Sequence, residues 1–524
     1  MIIKRIFTGV IIFAILQLAL LQATAQTARE AKITIDLKAA SSPISPMFYG
    51  QFIEYLGRCI DGGIYDENSS LSDANGFRKD VLQKVQELKV PLLRFPGGTV
   101  IKTYHWQDGI GPKQERPKRK NLIWGGINDN HFGTAEFIEY CRQIGAEPFL
   151  VINMSTGSPE EASNWVEYCN GDGDTYWANL RRLHGYEKPF NVKYWGIGNE
   201  EYAVPDAGKH QKVEKYIEDC WQFVKLMKLQ DPLLKLTLVG NSTDMDWSKK
   251  VLDEMHPVCN FLSVHLYSIP SDSKYTTLLK SIDAFNNDFN AMRTLLKQVP
   301  QKVENFSSWY RFPPRNEPVK LAVDEWGIWD INSGKGKGAY QLEYSYNWAQ
   351  ALAVGKFLNL FQRNADLIGL ATWAQTVNVL APIMTSKDGS YRQTVYTPLL
   401  AYRQFTQNNN LPVSLISPEL EATLEAVDAI ASISDDLKEI VVSALNLSET
   451  EAIPLQINFS NLIQNKSVQL IEHISYTAPT LDSANDFGKD CVNETRNKLM
   501  QNFKNGFEQK LKPASLNFFR FRVF

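Results

Sequence analysis

Two stretches of this chain run from apolar residues straight into carboxylates. Tyr194-Trp195-Gly196-Ile197-Gly198-Asn199 leads into Glu200 and Glu201, and Lys320-Leu321-Ala322-Val323 leads into Asp324, Glu325 and Trp326. Apolar runs this short read as buried strands. A carboxylate at the C-terminal end of a parallel strand lies where a barrel enzyme keeps its reactive groups. Two of them on different strands suit glycosidic-bond cleavage, one as acid and the other as nucleophile or base. Glu200 and Glu325 are the central pair. Their neighbours Trp195 and Trp326 are expected to desolvate them in part, which would raise the pKa of the acid and leave the nucleophile ionised.

The other polar strand ends surround this pair: Glu54, Arg94 with Pro96-Gly97-Gly98, Asn153, Asn199, Asn241, His265 with Tyr267, and Gln375. Such a set at one end of a barrel describes a polar-ligand pocket. Asn199 would donate to a sugar hydroxyl or to the nucleophile. Tyr267 would hold the nucleophile carboxylate, and Trp329 would wall the pocket. A metal is not expected, because the seven histidines form no H-x-x-x-H and no Cys/His cluster has zinc spacing.

The elements that must position these residues alternate between about 47 and 395. Candidate strands are 48–52, 92–95, 148–152, 192–197, 235–239, 261–264, 319–323 and 368–372. Helical patterns lie between most of them, at 76–88, 133–144 (with Thr134 as N-cap), 213–229 and 340–361. Eight strands alternating with helices predict a (β/α)8 TIM barrel over 47–397. Beyond 398 the pattern becomes short alternating runs at 429–434, 439–446, 454–459, 468–475 and 515–523. These predict an antiparallel β-sandwich over 398–524. Residues 26–46 contain a further strand, 33–37, expected to pair into that sandwich.

With 524 residues, 44% hydrophobic and 22% charged, the chain has the composition of a globular protein. A net charge of −3 gives no sign of a nucleic-acid partner. Twelve Trp and 21 Tyr supply flat faces suited to sugars, although most belong in the core. Residues 1–25 read as a signal peptide, with Lys4 and Arg5, an apolar run, and Ala23-Thr24-Ala25 before the cleavage point. The mature protein is therefore expected to be exported, periplasmic or secreted, with no membrane attachment. The six cysteines are irregularly spaced, and Cys141 and Cys220 read as buried free thiols. The basic run 113–120 reads as a solvated loop, and the Gly-Lys run 334–338 as a lid or surface loop.

The chain resembles glycoside hydrolase family 51, the α-L-arabinofuranosidases. The resemblance runs through Gly50-Gln51-Phe52-Ile53-Glu54, residues 56–65, Arg94-Phe95-Pro96-Gly97-Gly98, residues 106–112, Gly198-Asn199-Glu200, Asp324-Glu325-Trp326 and residues 377–383. It implies Glu200 as acid/base and Glu325 as nucleophile. Glu54, Asn199, Tyr267 and Gln375 would bind sugar, with His265 and Trp329 lining the same pocket. Arg94 would support the nucleophile, with Trp326 beside it. It also implies a retaining, exo-acting enzyme without cofactor or metal, often a homo-oligomer, acting on arabinose-containing plant oligo- or polysaccharides. Two departures stand out. Thr99 occupies the place where the family usually has Asn, and the segment after Glu200 lacks the tryptophan often found there. Thr99 leaves open a related specificity, another furanosidase or an endo-β-glycanase. A non-catalytic carbohydrate-binding protein is the alternative from a different class.

Overall fold

The computed structural model describes residues 30–39, 41–204, 207–304, 312–330, 337, 342–461, 467–503 and 506–524. The leader and, apart from Lys337, the Gly-Lys run 334–338 lie outside these residues.

Eight parallel strands close into a barrel. In chain order they are Gly50–Phe52, Leu92–Phe95, Glu147–Ile152, Tyr194–Ile197, Lys235–Val239, Phe261–Ser268, Lys320–Ile328 and Ile368–Ala374. The eighth pairs with the first to complete the ring. Most of these strands are buried almost throughout, as expected for strands packed between a barrel interior and surrounding helices. Several strand bounds differ from the expected ranges, and three of the differences bear on the site. Residues 46–49 form a 3-10 turn, which leaves only Gly50–Phe52 in the first strand. The sixth and seventh strands continue beyond 264 and 323, so His265, Tyr267 and Glu325 lie within strands and not after them.

Helices bury one face against the barrel. In Lys79–Glu87 the buried residues are Val81 and Val85, four positions apart. The helix Thr134–Ile144 begins at Gly133, with Thr134 as its first residue and not its cap. The Glu136 carboxylate reaches back to the Gly133 N–H at 2.9 Å. The helix Trp348–Arg363 starts later than the pattern from 340 suggested, and Asn347 and Gln350 cap it reciprocally. It is buried almost all round because it lies between the barrel and the C-terminal sheets. Its buried Lys356 pairs there with Asp283 and Asp428, and Arg363 grips Asp428 with two nitrogens. A further helix, Tyr396–Phe405, packs on it across the boundary expected at 397/398.

The C-terminal region forms a seven-stranded and a four-stranded sheet around a shared apolar core that includes Ile33, Val442, Ile457 and Phe521. Every strand pair in these two sheets is antiparallel except one: Ala31–Asp36 runs parallel to Ile453–Ser460 while pairing antiparallel with Val413–Ile416. Strands Asn493–Phe503 and Phe507–Leu511 were not expected, because polar residues dominate the first and the second is short. All six cysteines are free, five of them buried. Six of the eight residues in the run 113–120 are exposed, as expected of a solvated loop, with local anchors. Arg116 is buried on Glu136, and Lys113 is tied to Glu67.

Candidate active site

A cavity of about 660 Å³ opens at the C-terminal end of the barrel. Glu54, Thr99, Glu200, Tyr267, Glu325, Trp329 and Gln375 all line it. Arg94 and His265 lie just beneath and touch the carboxylates, and Asn199 is bonded to Arg94. Asn153 and Asn241 do not join them. Both fold back to bond main-chain N–H groups two and three residues on, shaping turns.

Glu325 is held from two sides. Arg94 Nη1 donates to its Oε1 at 2.9 Å, and Tyr267 OH donates to its Oε2 at 2.9 Å. Arg94 also donates through Nη2 to Asn199 Oδ1 at 2.7 Å, and its Nε lies 3.4 Å from Asp324 Oδ2. One guanidinium therefore orders three barrel strands, with its face over the Phe52 ring.

Asp324 was not foreseen as a site residue. In a regular strand, adjacent side chains point to opposite faces. Here the pairing register of the seventh strand shifts on both sides, between Ser263 and His265 of the sixth strand and, where it pairs with the eighth, between its own Val323 and Trp326. This bulge lets Asp324 and Glu325 both reach Arg94. Trp326 then faces outward onto Phe357 and Phe361 of the surrounding helix, and Trp195 likewise meets Trp165. Neither indole walls the glutamates, contrary to expectation.

Glu200 follows Gly198, whose φ is +85°, and itself has φ +43°. That left-handed conformation is rare for a residue with a side chain and marks a functional turn. His265 Nδ1 lies 2.8 Å from Glu200 Oε1 and 3.6 Å from Glu325 Oε2. Burial alone would raise the Glu200 pKa, but the His265 hydrogen bond and charge, with Lys102 and Arg94, bring it below its ordinary value. Burial would lower the His265 pKa, yet Glu325, Asp324 and Glu200 push it up to about 10. The proton is thus on the imidazole, where the sequence suggested a raised carboxyl.

The carboxyl that is raised is Glu54. Burial, then the Glu325 charge, take it up to about 7. It accepts from Val100 N–H at 3.0 Å, Trp124 Nε1 at 2.7 Å and Gln375 Nε2 at 2.8 Å. A Cβ on Gly98 would come within 2.7 Å of Glu54 Oε2, so the glycine leaves the space this carboxyl fills. Trp124 was also missed. It lies on a loop between strands with no periodicity to mark it. Asn199 Nδ2 and Gln375 Oε1 are buried without a hydrogen-bond partner among the described residues, as groups awaiting a polar ligand would be.

Among the described residues, one group has metal-ligand geometry: Glu200, His265 and Glu325, with ligand atoms within 4.8 Å of one another. Arg94 already places a fixed positive charge on Glu325. A cation there would be opposed by that charge, and the arrangement suits two carboxylates acting on one bond.

Residues 84–287 match the description "Alpha-L-arabinofuranosidase 1 domain", and residues 324–515 match "Alpha-L-arabinofuranosidase C-terminal domain". The chain is 42% identical over 377 residues to α-L-arabinofuranosidase C of Emericella nidulans, covering 70% of this chain and 72% of that one. It is 29% identical over 511 residues to the intracellular exo-α-(1→5)-L-arabinofuranosidase 1 of Bacillus subtilis, covering 94% and 99%. Among solved structures, the α-L-arabinofuranosidase of Thermotoga maritima in its arabinose complex superposes with a TM-score of 0.82 at 35% identity. That match covers 94% of this chain and all of the other.

Proposed function

The chain belongs to the α-L-arabinofuranosidases of glycoside hydrolase family 51 and has that activity on arabinose-containing substrates; on that premise we propose a retaining, exo-acting double displacement carried by Glu325 and Glu200. The observation that carries this is the spacing. One oxygen of each carboxylate and a ring nitrogen of His265 fall within 4.8 Å of one another. That favours the roughly 5–5.5 Å separation of retaining enzymes over the 6.5–9.5 Å that leaves room for a water.

Glu325, oriented by Arg94 and Tyr267, attacks the anomeric carbon of the arabinofuranosyl unit. The bond to the leaving oxygen breaks, and that oxygen takes a proton through Glu200, supplied by the His265 imidazolium along their shared hydrogen bond, which leaves Glu200 ionised and His265 neutral. The product is an arabinofuranosyl ester on Glu325. Glu200 then removes a proton from water, which attacks the same carbon and frees Glu325 and arabinose with the original anomeric configuration. Glu54, Gln375, Asn199 and Thr99 read the sugar hydroxyls, and Trp329 walls the cavity.

The test is Glu325→Ala and Glu200→Ala, each folded, each expected to lose several orders of magnitude in kcat. Azide added to Glu325→Ala should give the arabinosyl azide of inverted configuration, and added to Glu200→Ala that of retained configuration. Near-normal activity in either variant would overturn the assignment. We further propose that the protein is exported, cleaved after Ala25 and assembled with itself, acting on plant arabinose-containing glycans. The leader composition supports the first point, N-terminal sequencing of the fractionated protein tests it, and light scattering tests the assembly.

A further inference from the structure

Glu201 and His210 belong to neither the sugar pocket nor the barrel core as described above. Glu201 is fully buried directly after Glu200, and His210 is 2% exposed. A buried carboxylate is costly unless it is paired. Here Glu201 Oε2 faces His210 Nδ1 at 3.0 Å, while Oε1 accepts a weak bond from the Asn199 N–H at 3.4 Å. A Cβ on Gly198 would come within 2.8 Å of Glu201 Oε1, so the carboxylate is packed against the turn that carries Glu200. The His210 N–H closes the loop by donating to Glu201 O at 2.9 Å.

The far side of the imidazole is engaged as well. His210 Nε2 lies 3.0 Å from Asp219 Oδ2, on the helix Val213–Gln230, and Asp219 also pairs with Lys209 at 2.7 Å. Both ring nitrogens face carboxylate oxygens, so the ring is held from both sides. The Tyr216 ring meets the imidazole near-perpendicular at 5.7 Å and fixes its plane. A chain of contacts therefore runs from the surrounding helix through Asp219 and His210 to Glu201, ending at the Asn199 N–H just before the left-handed Glu200.

We propose that His210 is a positioning residue for Glu200. Clamped between Glu201 and Asp219, it sets the turn at Gly198–Glu201 and thereby the aim of the acid/base carboxyl at the leaving oxygen. This rests on the acid/base reading of Glu200. A buried polar contact that served stability alone could sit anywhere in the fold. This one includes Glu201 on one side of Glu200 and is bonded to the Asn199 N–H on the other, so it holds the turn from which Glu200 projects.

The discriminating readout is dependence on the leaving group. A sugar leaving group needs protonation as it departs, whereas a dinitrophenolate does not. kcat/KM is compared on α-(1→5)-arabinobiose and on 2,4-dinitrophenyl α-L-arabinofuranoside. His210→Gln should lose at least about tenfold more on the disaccharide than on the aryl substrate. Asp219→Asn, at the partly exposed end of the chain of contacts, should shift the ratio the same way by about threefold, and it carries the test if His210→Gln does not fold. Equal losses on both substrates, or no loss in either variant, would overturn the proposal. Glu200→Ala is run alongside. If it shows no leaving-group dependence, the acid/base reading itself fails; if it shows it and the His210 and Asp219 variants do not, only the positioning role fails.

Discussion

The Nδ1 of His265 lies 2.8 Å from Glu200 Oε1, so the imidazole of the sixth strand is hydrogen-bonded to the carboxylate that follows the fourth. With the His265 pKa at about 10 and that of Glu200 held below its ordinary value, the pair carries one proton throughout the neutral range. A raised histidine contributes stability that is fully present below about 6.5, its unfolded value, and is lost as pH rises through about 10. The proton available to the leaving group disappears over that same upper limb. In His265→Gln, Glu200 must hold the proton alone. The alkaline limb of kcat/KM should then move down by about one pH unit or more, with a loss at pH 7 of about tenfold to a hundredfold. A pH–rate profile checks this, and an unchanged alkaline limb would count against a shared proton.

Glu54 is shifted in the same direction as His265 but titrates over a lower pH range. Its pKa is raised from 4.5 to about 7, so the folded protein keeps a proton that the unfolded chain has released. Stability therefore falls as pH rises from about 4.5 to about 7, and stays lowered above that by on the order of 3 kcal/mol from this group. Glu54→Gln should remove that slope, raising Tm at pH 8 relative to the parent while weakening substrate binding. Melting curves at pH 5 and pH 8 measure the difference. Equal effects at both pH values would show that Glu54 does not hold the proton.

Arg94 is fully buried against Asp324, Glu325 and Asn199. Removing it leaves Asp324 charged and without its main counter-ion in a dry site, a change that costs about 3–5 kcal/mol. Arg94→Met should lower the urea midpoint accordingly and cut kcat, since Glu325 loses one of its two holding bonds. Arg94→Lys keeps the charge but cannot reach three acceptors from one plane, so it should recover part of the stability and little of the activity. Urea denaturation with steady-state kinetics on both variants separates the two effects.

Most of the barrel and its reactive pair were legible because both depend on local pattern. Short apolar runs ending in Glu200 and in Asp324-Glu325 reveal buried strands and their mouths. What the pattern missed has identifiable physical causes. Asp324 joins the site only through a bulge, and strict alternation assigns it to the outer face. Trp124 reaches Glu54 from a loop that carries no period. Trp326 is next to Glu325 in sequence yet faces the helices, because neighbours on a strand face opposite ways, and Trp195 packs outward on Trp165. The pKa pattern was also unreadable, since it arises from His265 and Arg94, which come from strands distant in sequence. Helix Tyr396–Phe405 was hidden by Pro398, a residue accepted in a first turn but a break elsewhere.

Thr99 lines the cavity one residue beyond the Gly98 that rests on Glu54. Its single short hydroxyl offers less reach than an amide, which has both a donor and an acceptor. A site that bonds particular hydroxyls discriminates strongly among sugars. Thr99→Asn should therefore tighten the reading of the arabinofuranosyl ring. KM on aryl α-L-arabinofuranoside is expected to fall about threefold to tenfold, with kcat little changed. The preference over aryl β-D-galactofuranoside and β-D-xyloside should rise by a similar factor, because those sugars present their hydroxyls differently to the same amide. The panel of four aryl glycosides, including the β-D-glucoside, measures the ratio directly. If the ratio does not move, Thr99 is a wall of the cavity, and the choice of sugar belongs to Glu54, Asn199 and Gln375.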